Sequence, residues 1–299
     1  MRGRWVLTIA GYAGVAVAAW LVFTVFWLWR NQERVVFQPP AIVPQDPAAA
    51  RRVEFRAADG HLTFGYLVAS PTNARAATVV VAFHGNADLA AWLVPWAQEL
   101  ARRAGVAVLI PEYRGYGGVE GSPSYANAGS DALGALAYAR TLNPERLVFF
   151  GHSLGTAIAT ELAASATVRP QAPASLVLQS PFTSARDMAA RMLVPAVPWI
   201  WRHITRVRYD TQQQVRTLDV DVWVAHGKND LTVPARMGRD VFESSRRKGE
   251  FLLVPGAGHN DVPEVGGERY WRWLVAAVTG VSELAPVGEL EQQRGGRLP

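Results

Sequence analysis

The chain has no cysteine among its 299 residues. That excludes disulfides, a thiol nucleophile and thiolate-ligated metals, while leaving the compartment open. Charge is also sparse, at 18% of residues against 49% hydrophobic. Such a balance supplies a sizeable core and leans towards membrane association. The net charge of +5 comes from scattered arginines with no long basic run. It fits a general preference for anionic surfaces and argues against nucleic-acid binding. No H-E-x-x-H or comparable ligand spacing occurs, so neither metal nor cofactor is expected. No internal repeat is present, and the length suits one large α/β domain or two small ones.

What is present begins with 25 uncharged residues from Trp5 to Trp29, bracketed by Arg2 and Arg4 and by Arg30 and Arg34. As a helix this run spans about 37 Å, enough to cross a hydrocarbon core of about 30 Å with some tilt. Trp5 at one end and Trp27 and Trp29 at the other suit interfacial aromatic belts. The rival reading is a cleaved signal peptide, whose apolar core is only about 7–15 residues long. The available small-x-small site, Ala16-Val17-Ala18, lies mid-run, so residues 1–30 read as an uncleaved anchor. The flanking arginines nearly balance. The free amino terminus tips the orientation towards N-terminus inside, with the globular part on the outer, periplasmic or extracellular, face. Residues 31–52 include Pro39, Pro40, Pro44, Pro47 and three consecutive alanines. They read as a linker lifting the globular part off the bilayer, so a chain starting near Ala48 is expected to be soluble and to keep its function.

Strand-like runs at 53–56 and 62–68 are joined by Asp59-Gly60, a hairpin signal. Apolar strands at 78–83, 106–110, 147–150, 175–179, 222–226 and 251–254 then alternate with helical stretches at 88–103, 130–141, 154–164, 235–245 and 267–278. Continuous apolar strands separated by helices imply a mostly parallel sheet covered on both faces, with antiparallel strands at the amino-terminal edge. The expected domain spans 53–282, and the Gly-, Gln-, Arg- and Pro-rich tail at 283–299 reads as disordered.

The stretch around Ser153 organises the rest. A short apolar strand leads into Gly151-His152-Ser153-Leu154-Gly155, and an Ala-rich helix follows. This is the G-x-S-x-G pattern of a nucleophile elbow, in which a sharp strand-to-helix turn projects the hydroxyl away from the sheet. The alternative is a plain β–α turn. A serine needs a base to take its proton, and the base needs an acid to orient it. In an open parallel sheet both belong just past the carboxyl ends of strands. Of six histidines, His259 sits on a glycine-rich loop after the last strand, free to swing over the elbow. Asp230 follows the strand ending at His226; its other reading is a helix cap. Asp219 and Asp221 precede that strand, Asp187 and Asp210 belong to an insertion, and Asp261 is close enough to His259 to cap a turn. The third element is Phe83-His84-Gly85-Asn86-Ala87-Asp88, a strand end whose following backbone N–H groups can face the elbow. The Asn86 and Leu154 amides would then bind an oxyanion together, unless the segment is merely a tight turn capped by Asp88.

With these stretches stand Tyr113-Arg114-Gly115-Tyr116-Gly117, Gly121-Ser122-Pro123-Ser124, Ser180-Pro181-Phe182-Thr183-Ser184, Tyr209-Asp210, His226-Gly227-Lys228-Asn229-Asp230 and Gly258-His259. Together they make residues 53–278 resemble the α/β-hydrolase superfamily, and more narrowly its membrane-anchored ABHD13/Bem46-type branch of serine hydrolases. The resemblance implies an α/β-hydrolase fold with a mostly parallel sheet of roughly eight strands, helices on both faces, a small helical cap and an N-terminal transmembrane helix. It implies Ser153, Asp230 and His259 as catalytic triad, with Asn86 at the oxyanion hole. Two departures stand out: Glu112 replaces the usual Asp before Tyr-Arg-Gly, and Gly118 adds a glycine to that turn.

Arg114 reads either as an anion contact at the pocket rim or as a buried arginine paired with loop carboxylates. The insertion at about 181–216 is too long for an ordinary loop and reads as the cap. Its Trp199, Ile200 and Trp201 are candidates for an acyl pocket or for the bilayer interface, with cap–core packing as the alternative. The expected activity is hydrolysis of carboxylic esters or thioesters with an apolar, lipid-like acyl part. Acyl transfer by the same triad and a catalytically silent membrane-anchored scaffold are the alternatives. Nothing in the sequence specifies the oligomeric state.

Overall fold

The computed structural model describes residues 2–69, 77–165, 172–192 and 205–280. Trp199, Ile200 and Trp201, much of the expected cap and the tail from 283 lie outside the described residues.

Eight strands form one sheet: β1 (Arg51–Arg56), β2 (Leu62–Val68), β3 (Thr78–Phe83), β4 (Ala107–Pro111), β5 (Arg146–His152), β6 (Ser175–Gln179), β7 (Asp221–Gly227) and β8 (Arg247–Val254). Their order across the sheet is β1-β2-β4-β3-β5-β6-β7-β8. β2 is antiparallel to both of its neighbours, and every pairing from β4 to β8 is parallel. β5, which carries the elbow, lies between β3 and β6 at the sheet centre. Its carboxyl end therefore opens between the ends of neighbouring parallel strands, where groups from separate loops can converge.

The central strands are largely apolar because both faces are covered, whereas the edge strand β1 alternates exposed and buried residues. In β3, Val79, Val81 and Phe83 enter one core, while Val80 and Ala82 enter the other. The first core packs against α3 (Tyr125–Thr141) and α4 (Leu154–Ala164), through Leu136, Ala157 and Leu162 among others. The second packs against α2 (Val94–Ala104) and the C-terminal helix α8 (Val262–Thr279), through Leu100, Tyr270 and Leu274. Three more helices, α5 (Ala185–Met192), α6 (Thr211–Val215) and α7 (Ala235–Ser244), lie before and after β7. Local signals place several helix ends. The Ser124 hydroxyl accepts the Asn127 N–H at the start of α3, satisfying one of the donors a helix start leaves unpaired. Gly105 takes a left-handed conformation at the end of α2, where a Cβ would be strained. α8 starts five residues before the expected 267, with Pro263 in its first turn, and kinks at Gly267.

Helix α1 (Arg2–Val36) contains the uncharged run and is, among the described residues, the one helix long and apolar enough to cross a membrane. Ile9, Trp20, Phe23 and Phe26 are exposed, whereas Leu28, Gln32 and Phe37 are buried. The helix thus runs six residues past the expected boundary at 30, and its end docks on the domain. Residues 37–50, part of the expected linker at 31–52, make contacts with the domain surface. Phe37 joins the first core, Val43 packs over Gly118, and Asp46 accepts the Tyr66 hydroxyl at 2.7 Å. The physical reason is the apolar surface of Phe37, buried here, which a solvated spacer would leave in water.

Candidate active site

Ser153 is the single residue between β5 and α4, with φ 51° and ψ −115°. A non-glycine residue at such a backbone angle costs about 1–3 kcal/mol and persists only where the surroundings enforce it. Here the flanking glycines let the turn close. A Cβ on Gly151 would run into the Gly155 carbonyl oxygen, and one on Gly155 into that of Phe83. Alanine at either position would overlap backbone atoms that cannot move aside.

The loop after β8 carries His259 to this hydroxyl. Its Nε2 is 2.9 Å from Ser153 Oγ, and its Nδ1 is 2.7 Å from Asp230 Oδ2. A carboxylate can only accept, so Nδ1 carries the hydrogen and Nε2 is left to receive one from serine. The Asp230 side chain is fully buried after β7. Burial acts to raise its pKa, but donors from His226, His259 and the Val233 N–H outweigh it and hold the carboxyl below the usual range. Its Oδ1 accepts the N–H groups of Thr232 and Val233, at 2.9 and 2.8 Å. One carboxylate therefore both orients the histidine and closes its own turn.

The rejected acids are engaged elsewhere. Asp187 accepts the hydroxyls of Thr183 and Ser184 at the start of α5, and Asp261 accepts the Gly258 N–H. Arg114 forms a two-bond fork with Asp59 and a further bond to Asp131, the second of its two sequence readings. Glu112 is fully buried and pins the turn beside the elbow. Its Oε1 lies 2.9 Å from His84 Nε2, and its Oε2 accepts the Ala90 N–H. Burial opposes a charge on His84, yet the facing Glu112 prevails and the imidazole pKa lies above its ordinary value.

The turn at Gly85-Asn86 abuts the elbow: a Cβ on Gly85 would sit 3.6 Å from that of Ser153. Among the described residues no protein acceptor takes the N–H of Asn86 or of Leu154, the first residue of α4. The Asn86 side chain has a role that the sequence did not signal. Its Nδ2 donates to the Val36 carbonyl at 2.7 Å, and its Oδ1 accepts the Gln38 N–H at 2.9 Å and the Tyr116 hydroxyl at 2.8 Å. It caps the end of α1, where carbonyls lack helical partners.

Two histidines beside the site were also missed. His226 Nε2 lies 3.2 Å from Asp230 Oδ2 and 2.9 Å from the Val233 carbonyl, a contact signalled by its spacing four residues before Asp230. His152 Nε2 lies 3.3 Å from the His259 carbonyl, which the Ser180 hydroxyl also reaches. Burial, and secondly the neighbouring His259, push the His152 pKa down to about 4. A cleft of about 410 Å³ adjoins these groups, with Asn86, Trp92, Trp96, Phe150, His152 and Asn260 in its walls.

A family profile described as "Serine aminopeptidase, S33" (Hydrolase_4) matches residues 74–209. An uncharacterised protein of Mycobacterium tuberculosis, Rv2307c, is 32% identical over 249 residues, covering 81% of this chain and 84% of the relative. The chain belongs to the α/β-hydrolase superfamily. The hydrolase is also similar to protein bem46 of Schizosaccharomyces pombe, 26% identical over 272 residues, with 86% and 89% of the two chains covered. A lysophosphatidylserine lipase, ABHD12, of Danio rerio is 31% identical over 150 residues, 46% of this chain and 39% of the lipase. Among solved structures, the Pyrococcus furiosus esterase Pf2001 superposes with a TM-score of 0.65 at 14% identity, over 82% of this chain and 98% of the esterase. That likeness speaks for the α/β-hydrolase fold. Membership, with serine at the elbow, makes the chain a serine hydrolase of the esterase type.

Proposed function

We propose that the hydrolase is anchored in a membrane by α1 and cleaves carboxylic esters or thioesters through Ser153, His259 and Asp230. The observation that carries this reading is the His259 ring, within hydrogen-bond reach of Ser153 Oγ on one side and Asp230 Oδ2 on the other. Ser153 Oγ attacks the carbonyl carbon while His259 Nε2 takes its proton. Asp230 holds the ring in the required tautomer and balances the imidazolium charge. The Asn86 and Leu154 N–H groups bind the oxyanion, whose collapse expels the alcohol or thiol with the proton from His259. Water, activated by the same imidazole, then releases the acid from the acyl-enzyme. The low pKa of Asp230 keeps the carboxylate charged throughout, and that of His152 keeps a second positive ring away from His259.

An apolar, lipid-like acyl part suits the aromatic walls of the adjoining cleft, Trp92, Trp96 and Phe150. It also suits an enzyme tethered to a bilayer by an apolar helix, and the lipase named among its relatives acts on a lipid. Trp199, Ile200 and Trp201 remain our proposal for a further wall, and the outer membrane face our proposal for the domain. The test is turnover of p-nitrophenyl esters of graded chain length. Catalytic efficiency should rise from acetyl to medium-chain esters, and the Trp92→Ala/Trp96→Ala double variant should flatten that rise while sparing acetate. A strict preference for acetate in the parent would contradict the apolar acyl part. Turnover that persists in Ser153→Ala would contradict the mechanism.

A further inference from the structure

The apolar helix buries one face where it meets the domain. Its large side chains are open as far as Trp29, Leu28 and Gln32 are buried, and Arg30 is the first charge after the uncharged run. A bilayer around that run, on the anchored reading proposed above, has its headgroup layer at the level of residues 30–34. At this level a groove of about 660 Å³ opens between the end of α1, the turn before α3 and the chain at Arg206. Arg30, Arg34 and Arg206 line it, together with Ser122, Ser124 and Asn127.

Among the described residues no carboxylate pairs with any of these three arginines. Arg206 is held in place: its Nη2 donates to the Trp29 carbonyl at 3.0 Å, and its guanidinium lies 5.3 Å from the Trp29 ring centre. Its backbone N–H donates to Gln32 Oε1. The one carboxylate in the lining, Glu33, already accepts the Tyr125 N–H at the start of α3. Three arginines lining one groove with a single carboxylate, and with hydroxyl donors beside them, match the charge and hydrogen-bonding needs of a phosphate group.

We propose that this groove binds the phosphate of an anionic membrane phospholipid. The groove is distinct from the elbow, yet Phe37 and Pro39 line it and flank Gln38, whose N–H holds the Asn86 side chain. A seated headgroup thereby fixes the end of α1 and, through it, the turn that carries the Asn86 amide.

The experiment uses the full chain in nonionic detergent with dihexanoyl phosphatidylglycerol, dihexanoyl phosphatidylcholine or inorganic phosphate. Native mass spectrometry counts bound lipid, and thermal unfolding gives the midpoint shift. One phosphatidylglycerol should be retained at least about tenfold more tightly than phosphatidylcholine, with a raised midpoint. Arg34→Gln/Arg206→Gln should bring that ratio close to one while still taking a fluorophosphonate label. Arg30→Gln alone, the second variant should the double one fail to fold, should lower the ratio in part. Ser153→Ala should keep the full preference, which separates failure at the groove from failure of the proposed hydrolysis. Equal retention of the two lipids by the parent, or a preference that survives the double variant, overturns the proposal. Inorganic phosphate competing at the same concentration as phosphatidylglycerol would assign the groove to free phosphate and overturn the lipid.

Discussion

At the scale of single residues, Ser153, His259 and Asp230 should act as a unit. Asp230→Asn leaves the fold but favours the wrong imidazole tautomer, and kcat should fall by up to about 10⁴-fold on p-nitrophenyl esters. His259→Ala should cost a comparable amount, and the double variant little more, because either change alone ends proton transfer. Asp187→Asn and Asp261→Asn, whose carboxylates cap local turns, should stay within about tenfold of the parent, or about 1.4 kcal/mol. Activity lost in those and kept in Asp230→Asn would reassign the acid. His226 acts through Asp230. His226→Leu removes a donor that favours the charged carboxyl, so the acid limb of the kcat/KM profile should move to higher pH with KM unchanged. An unmoved acid limb would reduce His226 to packing. His152 bears on stability. Its folded pKa of about 4 lies below the ordinary value of 6.5, so the unfolded chain takes up a proton first as pH falls. Stability should therefore drop between about pH 6.5 and about pH 4, and His152→Gln should flatten that drop in urea titrations. A slope unchanged by the substitution would clear His152.

At the scale of elements, the sheet, the elbow and the loop positions of Ser153, Asp230 and His259 were all legible. Each leaves a local trace: apolar runs of strand length, glycines around a serine, an acid and a histidine just past strand ends. The fate of α1 was not legible. The contacts that dock it, Asn86 to Val36 and Glu33 to Tyr125, join residues 50 and 92 apart in sequence, and no local pattern encodes such a pairing. The same blindness hid the start of β8 at Arg247, because the expected strand began only at 251 while the exposed Arg247 and Lys248 already pair with Asp221 and Val222 of β7. This changes what truncation should do. A chain starting near Ala48 loses Phe37 from the core, a cost of order 3–5 kcal/mol by analogy with large aromatic deletions, and frees the Asn86 side chain. We expect it to be less stable and, on p-nitrophenyl acetate, at least about tenfold slower than a chain starting near Trp27. Equal rates and equal unfolding midpoints for the two truncations would show that the docked end of α1 is dispensable.

At the scale of the whole molecule, α1 is exposed along most of its length, a surface the proposed anchoring assigns to lipid, and its end docks on the domain. The anchored reading requires the full chain to stay in the membrane pellet through carbonate extraction; recovery of a mature protein beginning soon after Ala18 would contradict it. On that anchored reading the elbow keeps a fixed relation to the headgroup layer, because the Val36–Asn86 contact ties the end of α1 to the turn beside the site. Such geometry suits substrates drawn from the bilayer surface more than those diffusing in bulk water. The central claim is that Ser153 is a nucleophile activated by His259. It is tested most directly by exposing the full-length protein to a fluorophosphonate probe and locating the adduct by peptide mass spectrometry. The account predicts a single adduct on Ser153 in the parent, none in Ser153→Ala, and labelling slowed by orders of magnitude in His259→Ala. An unlabelled parent, or labelling that survives Ser153→Ala, would contradict it.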